Sequence, residues 1–184
     1  MNRDQAIELV RQYIKNETMV KHCLAAEAVM AAVAERLGHD KEKWALAGLL
    51  HDLDVELTNA DLNVHVLETE KILLQHGVDE GVIDAIKMHN EQAHGQKRST
   101  PFHHALAASE TITGLIVATA LVLPDKKLAS VKPTSVVKRM KEKAFARGAN
   151  RDHIRECEKA GIPLDQFAEL AVKAMQGISA QLGL

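Results

Sequence analysis

The sequence has few cysteines and no excess of charge of either sign. Of its 184 residues only two are cysteines, Cys23 and Cys157, and they form no Cys-x-x-Cys pair. This pattern excludes a disulfide scaffold and favours a reducing compartment, so we expect a cytoplasmic protein. The net charge of −2 gives no general attraction to nucleic acid or to an anionic membrane.

Long apolar segments are also scarce. Residues 1–20 carry charged side chains throughout and lack the apolar core of a signal peptide. The most apolar run, 105–123, is interrupted by Glu110, and its part after Thr111 is shorter than the roughly 20 residues that a bilayer requires. We therefore predict a central buried helix in this run and no membrane partner.

Period-two alternation, internal repeats and low-complexity segments are absent, whereas helical spacing recurs along the chain. Capping residues predict helices that begin after Asn2, near Thr18 and after Asp40. Further helices are predicted over residues 64–75, 79–89, 101–123, 135–147, 151–160 and 164–182. The sequence thus predicts an all-α bundle, with residues 1–125 as the metal-binding helical domain and residues 126–184 as a C-terminal helical extension packed on it.

Six residues on inward helix faces or at helix ends could bind a metal: His22, His51, Asp52, His65, His89 and Glu110. Taken singly, each histidine has an ordinary explanation, such as a hydrogen-bonded core residue or a partner of a helix dipole. Asp52 and Glu110 differ, because burying a carboxylate in apolar surroundings is costly unless a proton, a partner or a metal compensates its charge. Taken together, the six residues favour a metal site.

Their order resembles the HD superfamily of metal-dependent phosphohydrolases. A lone histidine is followed by adjacent His51 and Asp52 at a helix end, then by single histidines before and after a short helix, and then by an acid in an Ala-rich helix. The surroundings Leu-Leu-His-Asp, Ala-Ile-Lys-Met-His-Asn and Ala-Leu-Ala-Ala-Ser-Glu are similar to those of the two-metal branch, which includes small bacterial nucleotide hydrolases. The whole chain also resembles stand-alone proteins described as predicted HD hydrolases.

The resemblance implies two metals that share one bridging carboxylate. The first metal would be bound by His22, His51, Asp52 and Glu110, and the second by Asp52, His65 and His89. Such ligands suit Mn, Fe, Ni, Co, Zn or Mg, and a metal-activated water would hydrolyse a phosphate ester with Asp52 at the catalytic centre. The family has Asp where this chain has Glu110, so the number of metals and the activity stay open at this point.

Other polar residues are predicted to complete the site. Asp54 follows the His-Asp pair and is predicted to be a catalytic proton donor or to orient a ligand. The segment from Lys126 to Arg151 is strongly basic, and three of its residues are predicted to bind a substrate phosphate: Lys138, Lys141 and Arg147. Phe145 is the one aromatic residue in that segment, so a nucleic-acid groove is not indicated.

The sequence therefore predicts a metal-dependent hydrolase of a small phosphorylated metabolite or nucleotide. Two alternatives stay open. One is a diiron oxygenase on the same scaffold, and the other is a non-catalytic module in which the metal only ties helices together and the basic tail binds a partner. His103 and His104 are expected at the surface or facing the substrate. The sequence does not indicate an oligomeric state.

Overall fold

A computed structural model describes all 184 residues and contains ten α-helices and no β-strand. The all-α prediction is confirmed. The helices are α1 (Arg3–Tyr13), α2 (Glu17–Leu37), α3 (Lys41–Leu50), α4 (Leu67–Gln75), α5 (Glu80–His89), α6 (Pro101–Leu121), α7 (Pro133–Arg139), α8 (Arg151–Arg155), α9 (Leu164–Gly177) and α10 (Ser179–Leu182).

Local capping groups set the ends of the first helices. The Asn2 side chain accepts a hydrogen bond from the Gln5 N–H, and the Gln5 side chain accepts one from the Asn2 N–H, which completes a capping box. Asp40 and Asp79 cap α3 and α5 more simply, because their side chains accept N–H groups of the first turn without a reciprocal bond. Gly38 ends α2 at a φ of 75°, in the left-handed region that glycine tolerates.

Helix α4 begins later than predicted. Val66 has a φ of 84°, so the chain cannot be helical before Leu67. The carboxylate of Asp54 accepts the free N–H groups of Val66, Glu68 and Thr69 at this start. A distant aspartate therefore caps α4 in place of a local side chain.

The predicted helix over 135–147 ends at Arg139, and residues 140–149 form turns. The Arg151 guanidinium organises this segment by donating to the carbonyl oxygens of Arg139, Glu142, Phe145, Ala146 and Ala149. The next predicted helix, 151–160, ends at Arg155, and the last, 164–182, is divided at Ile178. In residues 140–149 the contacts of Arg151 override helical propensity.

Helix α6 is the centre of the bundle and contacts α2, α3, α5, α7, α8 and α9. Its length and composition would allow it to cross a membrane, but 67% of the apolar window is buried inside the protein. Leu106, Ile112 and Leu115 on this helix are fully buried. The prediction of a central buried helix is confirmed.

The C-terminal helices share the core of the first part of the chain. Helix α9 packs on α2, α6 and α7, and its Phe167 and Met175 belong to the same hydrophobic cluster as Leu50 and Ile86. Burial of side chains from both segments in one core ties the two segments together. The boundary after residue 125 stays a prediction.

Helices α2 and α3 approach closely at Gly48. A Cβ atom added to Gly48 would lie 2.6 Å from the Ala26 carbonyl oxygen and 2.9 Å from the Glu27 nitrogen, so this approach requires glycine. Gly48 lies about one turn before His51, and Ala26 lies about one turn after His22. The close contact therefore brings these two histidines against each other.

Candidate metal centre

Four histidines surround the carboxylate of Asp52. His22 lies on α2, His51 follows α3, His65 lies shortly before α4 and His89 ends α5. The Nε2 atoms of His22 and His51 lie 3.5 and 3.3 Å from Asp52 Oδ2, and those of His65 and His89 lie 3.2 and 3.6 Å from Oδ1. Each carboxylate oxygen therefore faces one pair of imidazoles.

Hydrogen bonds fix the tautomers of His51 and His89. Nδ1 of His51 lies 2.8 Å from the Gly48 carbonyl oxygen, and Nδ1 of His89 lies 2.6 Å from the Ile86 carbonyl oxygen. A carbonyl oxygen only accepts hydrogen bonds, so both Nδ1 atoms carry a proton. In the neutral ring Nε2 is then a lone-pair donor that could bind a metal.

His22 and His65 also carry the proton on Nδ1. Nδ1 of His65 donates to Asp54 Oδ1 over 2.6 Å. Nδ1 of His22 lies 3.0 Å from the Thr113 hydroxyl oxygen, and that hydroxyl donates its proton to the Glu110 carbonyl oxygen. The Thr113 oxygen can therefore only accept from His22. All four rings direct Nε2 to the same centre.

The Nε2 atoms approach each other in two pairs, with 3.1 Å between His22 and His51 and 3.1 Å between His65 and His89. With protons on Nδ1, neither Nε2 atom of a neutral pair has a proton to donate, so either a proton or a metal cation between the two atoms would relieve the contact. Each pair, together with Asp52, forms a group of ligand atoms within 4.8 Å of one another. Imidazole and carboxylate suit transition metals, so these residues fit a metal centre in which Asp52 belongs to both groups.

The charges of the centre favour a cation. Burial, together with His51, lowers the pKa of His22 to about 4. Burial opposes the charged form of His65, but its hydrogen bonds to Asp52 and Asp54 outweigh this and raise its pKa to about 9. Burial also disfavours the Asp52 carboxylate, yet the surrounding imidazoles, His51 first, hold its pKa well below the usual range. Asp52 is therefore ionised and attracts positive charge.

Glu110 lines the same cleft but belongs to neither group of ligand atoms. Its carboxylate accepts a hydrogen bond from the Thr111 hydroxyl. Burial raises the pKa of Glu110 to about 7, and the nearby His51 opposes this shift. Coordination by Glu110 therefore stays a prediction, with its carboxylate placed in the cleft.

Asp54 lies behind His65 and is fully buried. One of its oxygens accepts from His65, and the other accepts from the three N–H groups at the start of α4. Burial alone would raise the pKa of Asp54, but the hydrogen bonds from His65 and Thr69 outweigh it and lower the pKa. An ionised acceptor has no proton to give, so the geometry supports orientation of His65 rather than proton donation.

Replacing Asp54 with alanine should loosen His65 and uncap α4 together. We expect metal affinity to fall about 10- to 100-fold, as for other residues that orient a ligand, and stability to fall by about 1–3 kcal/mol. Metal titration and urea unfolding measure the two effects. Asp79→Ala is the matched control, because it also removes a helix cap but touches no candidate ligand. Equal metal affinity in both variants would contradict the orienting role.

A cleft of about 840 Å³ opens at the metal centre. It lies between candidate ligands on one side and the segments 90–98 and 148–153 on the other. The structure does not bring the predicted phosphate-binding residues to this cleft: Lys138, Lys141 and Arg147 are exposed and do not line it. Its lysine and arginine residues are Lys97 and Arg98, which follow α5 in a polar loop and gave no helical or motif signal in the sequence.

His103 is buried, so the prediction of a surface position is wrong for this residue, whereas the side chain of His104 is 12% exposed. His103 is 4% exposed, and its Nε2 lies 2.7 Å from Asp84 Oδ2. Nδ1 of His104 lies 2.7 Å from Glu156 Oε2. Neither histidine lines the cleft, because acids from α5 and from the end of α8 hold both side chains against the protein.

The buried pairs of Glu156 predict a pH dependence of stability. Burial alone would raise the pKa of Glu156, but hydrogen bonds from His104 and Arg98 outweigh it and lower the pKa below 4.5. Its contribution is therefore complete above about pH 4.5 and is lost as the pH falls through the lowered value. Glu156→Gln should cost about 1–3 kcal/mol at pH 7, and urea unfolding should show this difference shrinking below pH 4.5. A difference that is independent of pH would contradict the assignment.

The fold and the centre define an all-α protein whose histidines and shared carboxylate could hold metal ions. The sequence profile of the HD domain matches residues 19–121, which is more than half of the chain. The chain belongs to the HD domain family, as its ordered histidines and aspartate predicted.

Two curated relatives are similar over 99 residues. Ribonuclease Y 2 of Levilactobacillus brevis is 29% identical over 53% of this chain and 18% of its own length. Ribonuclease Y of Nitratidesulfovibrio vulgaris is 28% identical over 54% of this chain and 18% of its own length. The match therefore covers less than a fifth of these relatives. No solved structure matches the chain significantly.

Proposed function

We propose that this protein is a metal-dependent phosphohydrolase acting on a small phosphorylated metabolite or nucleotide. The observation that carries the proposal is the position of Asp52, whose two oxygens each face one pair of histidine Nε2 atoms. One carboxylate between two such pairs is suited to two divalent cations a few ångströms apart, the arrangement common to two-metal phosphoester hydrolysis.

Each residue of the centre has a role in this proposal. His22, His51 and Asp52 would hold one metal, and Asp52, His65 and His89 would hold the other. Bound metals would supply an activated water and neutralise the charge of the phosphate. Asp54 and the carbonyl groups of Gly48 and Ile86 keep the Nε2 atoms directed inward.

The cleft supports a small substrate. Its volume of about 840 Å³ is within the range of small-molecule sites. No phenylalanine, tyrosine or tryptophan lines it, so it has no aromatic platform of the kind on which successive bases of a strand stack. Metal ligands form one side and polar side chains such as Asn90, Gln92 and Asn150 form another. RNA, the substrate suggested by the relatives' names, is the competing candidate.

The test is hydrolysis by protein loaded in turn with Mn, Fe, Ni, Co, Zn and Mg. The substrates are p-nitrophenyl phosphate, bis-p-nitrophenyl phosphate, nucleoside monophosphates and a short labelled RNA. We expect turnover of a small ester that disappears on chelation and in His65→Ala. Lys138→Ala, which changes an exposed residue outside the cleft, is the control and should retain activity.

Other outcomes would overturn the proposal. Faster cleavage of RNA than of every small ester would assign a ribonuclease. Iron-dependent oxygen consumption without phosphate release would assign the oxygenase alternative. Metal binding that stabilises the fold without turnover of any ester would assign a structural module.

A further inference from the structure

Arg98 is a buried cation beside the metal centre. Its side chain is 5% exposed, and its Nε donates to Glu156 Oε2 over 2.8 Å. Its Nη1 donates to the carbonyl oxygens of Met88 and His89, over 2.8 and 3.1 Å. The guanidinium is therefore fixed directly against the backbone of a candidate metal ligand.

The remaining nitrogen of this guanidinium has no partner in the protein. Nη1 and Nε account for all the hydrogen bonds that the Arg98 side chain donates. Nη2 is also not among the fully enclosed polar atoms that lack a partner, which are Ser109 Oγ and Arg151 Nε. Nη2 therefore keeps some contact with solvent, and because Arg98 lines the cleft, the cleft is where this nitrogen could meet a ligand. A buried guanidinium that is fixed through two of its nitrogens can donate a hydrogen bond through the third to a ligand in the cleft.

We propose that Arg98 is a substrate-binding residue that donates through Nη2 to an anionic oxygen of the substrate, such as a phosphate oxygen. This deepens the proposed function and rests on it for the class of substrate. Guanidinium suits the role because its donors have a fixed geometry and it stays charged when buried. Because Glu156, Met88 and His89 already hold the group, little side-chain entropy is lost when the substrate binds.

The neighbouring lysine differs in each of these respects. Lys97 also lines the cleft, but its side chain is 83% exposed and its Nζ is paired with Glu91 at 3.1 Å. An exposed, paired lysine contributes little to binding. Lys97 is therefore a matched control with the same charge in the same cleft.

The experiment measures binding of inorganic phosphate to the metal-loaded 184-residue chain by calorimetry, with metal content determined on each sample. Arg98→Met should weaken phosphate binding about 10- to 100-fold, the loss expected for a charge-assisted hydrogen bond. Lys97→Met should change it less than about twofold. Arg98→Lys keeps the positive charge but loses the planar guanidinium. Its phosphate affinity should lie between those of the wild type and Arg98→Met.

Further variants separate binding from the structural contacts of Arg98. Glu156→Gln removes the negative charge beside Nε but leaves an acceptor oxygen, the backbone contacts of Nη1 and the free Nη2. It should lower stability and reduce phosphate affinity by less than Arg98→Met does. Unchanged phosphate affinity in Arg98→Met would overturn the inference, and so would an equal reduction in Lys97→Met. The inference also fails if phosphate affinity falls only in proportion to the metal content of the variant. If Arg98→Met does not fold, Arg98→Lys decides, and wild-type affinity in that variant would overturn the inference.

The same measurements distinguish this inference from the proposed function. If the protein binds phosphate through Arg98 but hydrolyses no ester, the anion site stands and the phosphohydrolase fails. If the protein hydrolyses esters and the KM and phosphate affinity do not depend on Arg98, only the inference fails.

Discussion

Asp52→Ala should remove metal from both groups of ligands at once. Asp52 is the one residue that belongs to both, with Oδ2 facing His22 and His51 and Oδ1 facing His65 and His89. Removing it leaves two histidines in each group and no negative charge between them. Elemental analysis after metal loading should show near-stoichiometric metal in the wild type and almost none in the variant.

Single histidine variants test whether the bridge exists. His22→Ala should lose metal from the first group and His65→Ala from the second, so each should keep about half of the wild-type content. Metal retained at one site in Asp52→Ala would show that Asp52 does not bridge. Loss of all metal in either histidine variant would instead indicate a single site built from both groups.

Glu110→Gln extends the same experiment to the cleft carboxylate that belongs to neither group. If Glu110 coordinates the first metal, the amide should lower the affinity of the site that contains His22 and leave the site that contains His65 unchanged. If both affinities are unchanged, Glu110 is a cleft carboxylate and not a ligand. In that case its hydrogen bond from Thr111 describes its role.

Gly48→Ala should be the most destabilising single-methyl change near the site. The new Cβ would lie 2.6 Å from the Ala26 carbonyl oxygen and 2.8 Å from the carbonyl carbon, and backbone atoms cannot move aside as a side-chain end can. Overpacking of this kind costs about 1–3 kcal/mol, and sometimes more when backbones must separate. Urea unfolding of the metal-free protein measures the loss.

The same variant should also weaken the first metal group. Separating α2 from α3 at Gly48 moves His22 away from His51, whereas His65 and His89 lie outside that contact. Gly114→Ala is the control: this exposed glycine in α6 has no atom within 4 Å of an added Cβ, so alanine should stabilise the helix by about 0.5–1 kcal/mol. An unchanged free energy of unfolding in Gly48→Ala would show that α2 and α3 do not approach this closely.

Much of the local structure follows from the sequence, because helix ends depend on nearby residues. Asn2, Asp40 and Asp79 accept N–H groups from the following turn, as their positions predicted. Predictions were wrong where a side chain from outside the segment intervenes. Arg151 holds residues 140–149 in turns through their carbonyl groups, and nothing within that segment signals the contact.

By itself the sequence determined the helical class, the HD family and the set of histidines with Asp52, because residue type and order along the chain carry that information. Tertiary structure placed the two predicted histidine pairs on opposite oxygens of Asp52. It alone decided that Asp54 is buried as a hydrogen-bond acceptor and which cationic residues reach the cleft. Lys138 stands in the basic segment that suggested phosphate binding, yet Arg98 lines the cleft. The reason is that direction and burial of a side chain depend on contacts between helices far apart in the chain, and these contacts have no local signal.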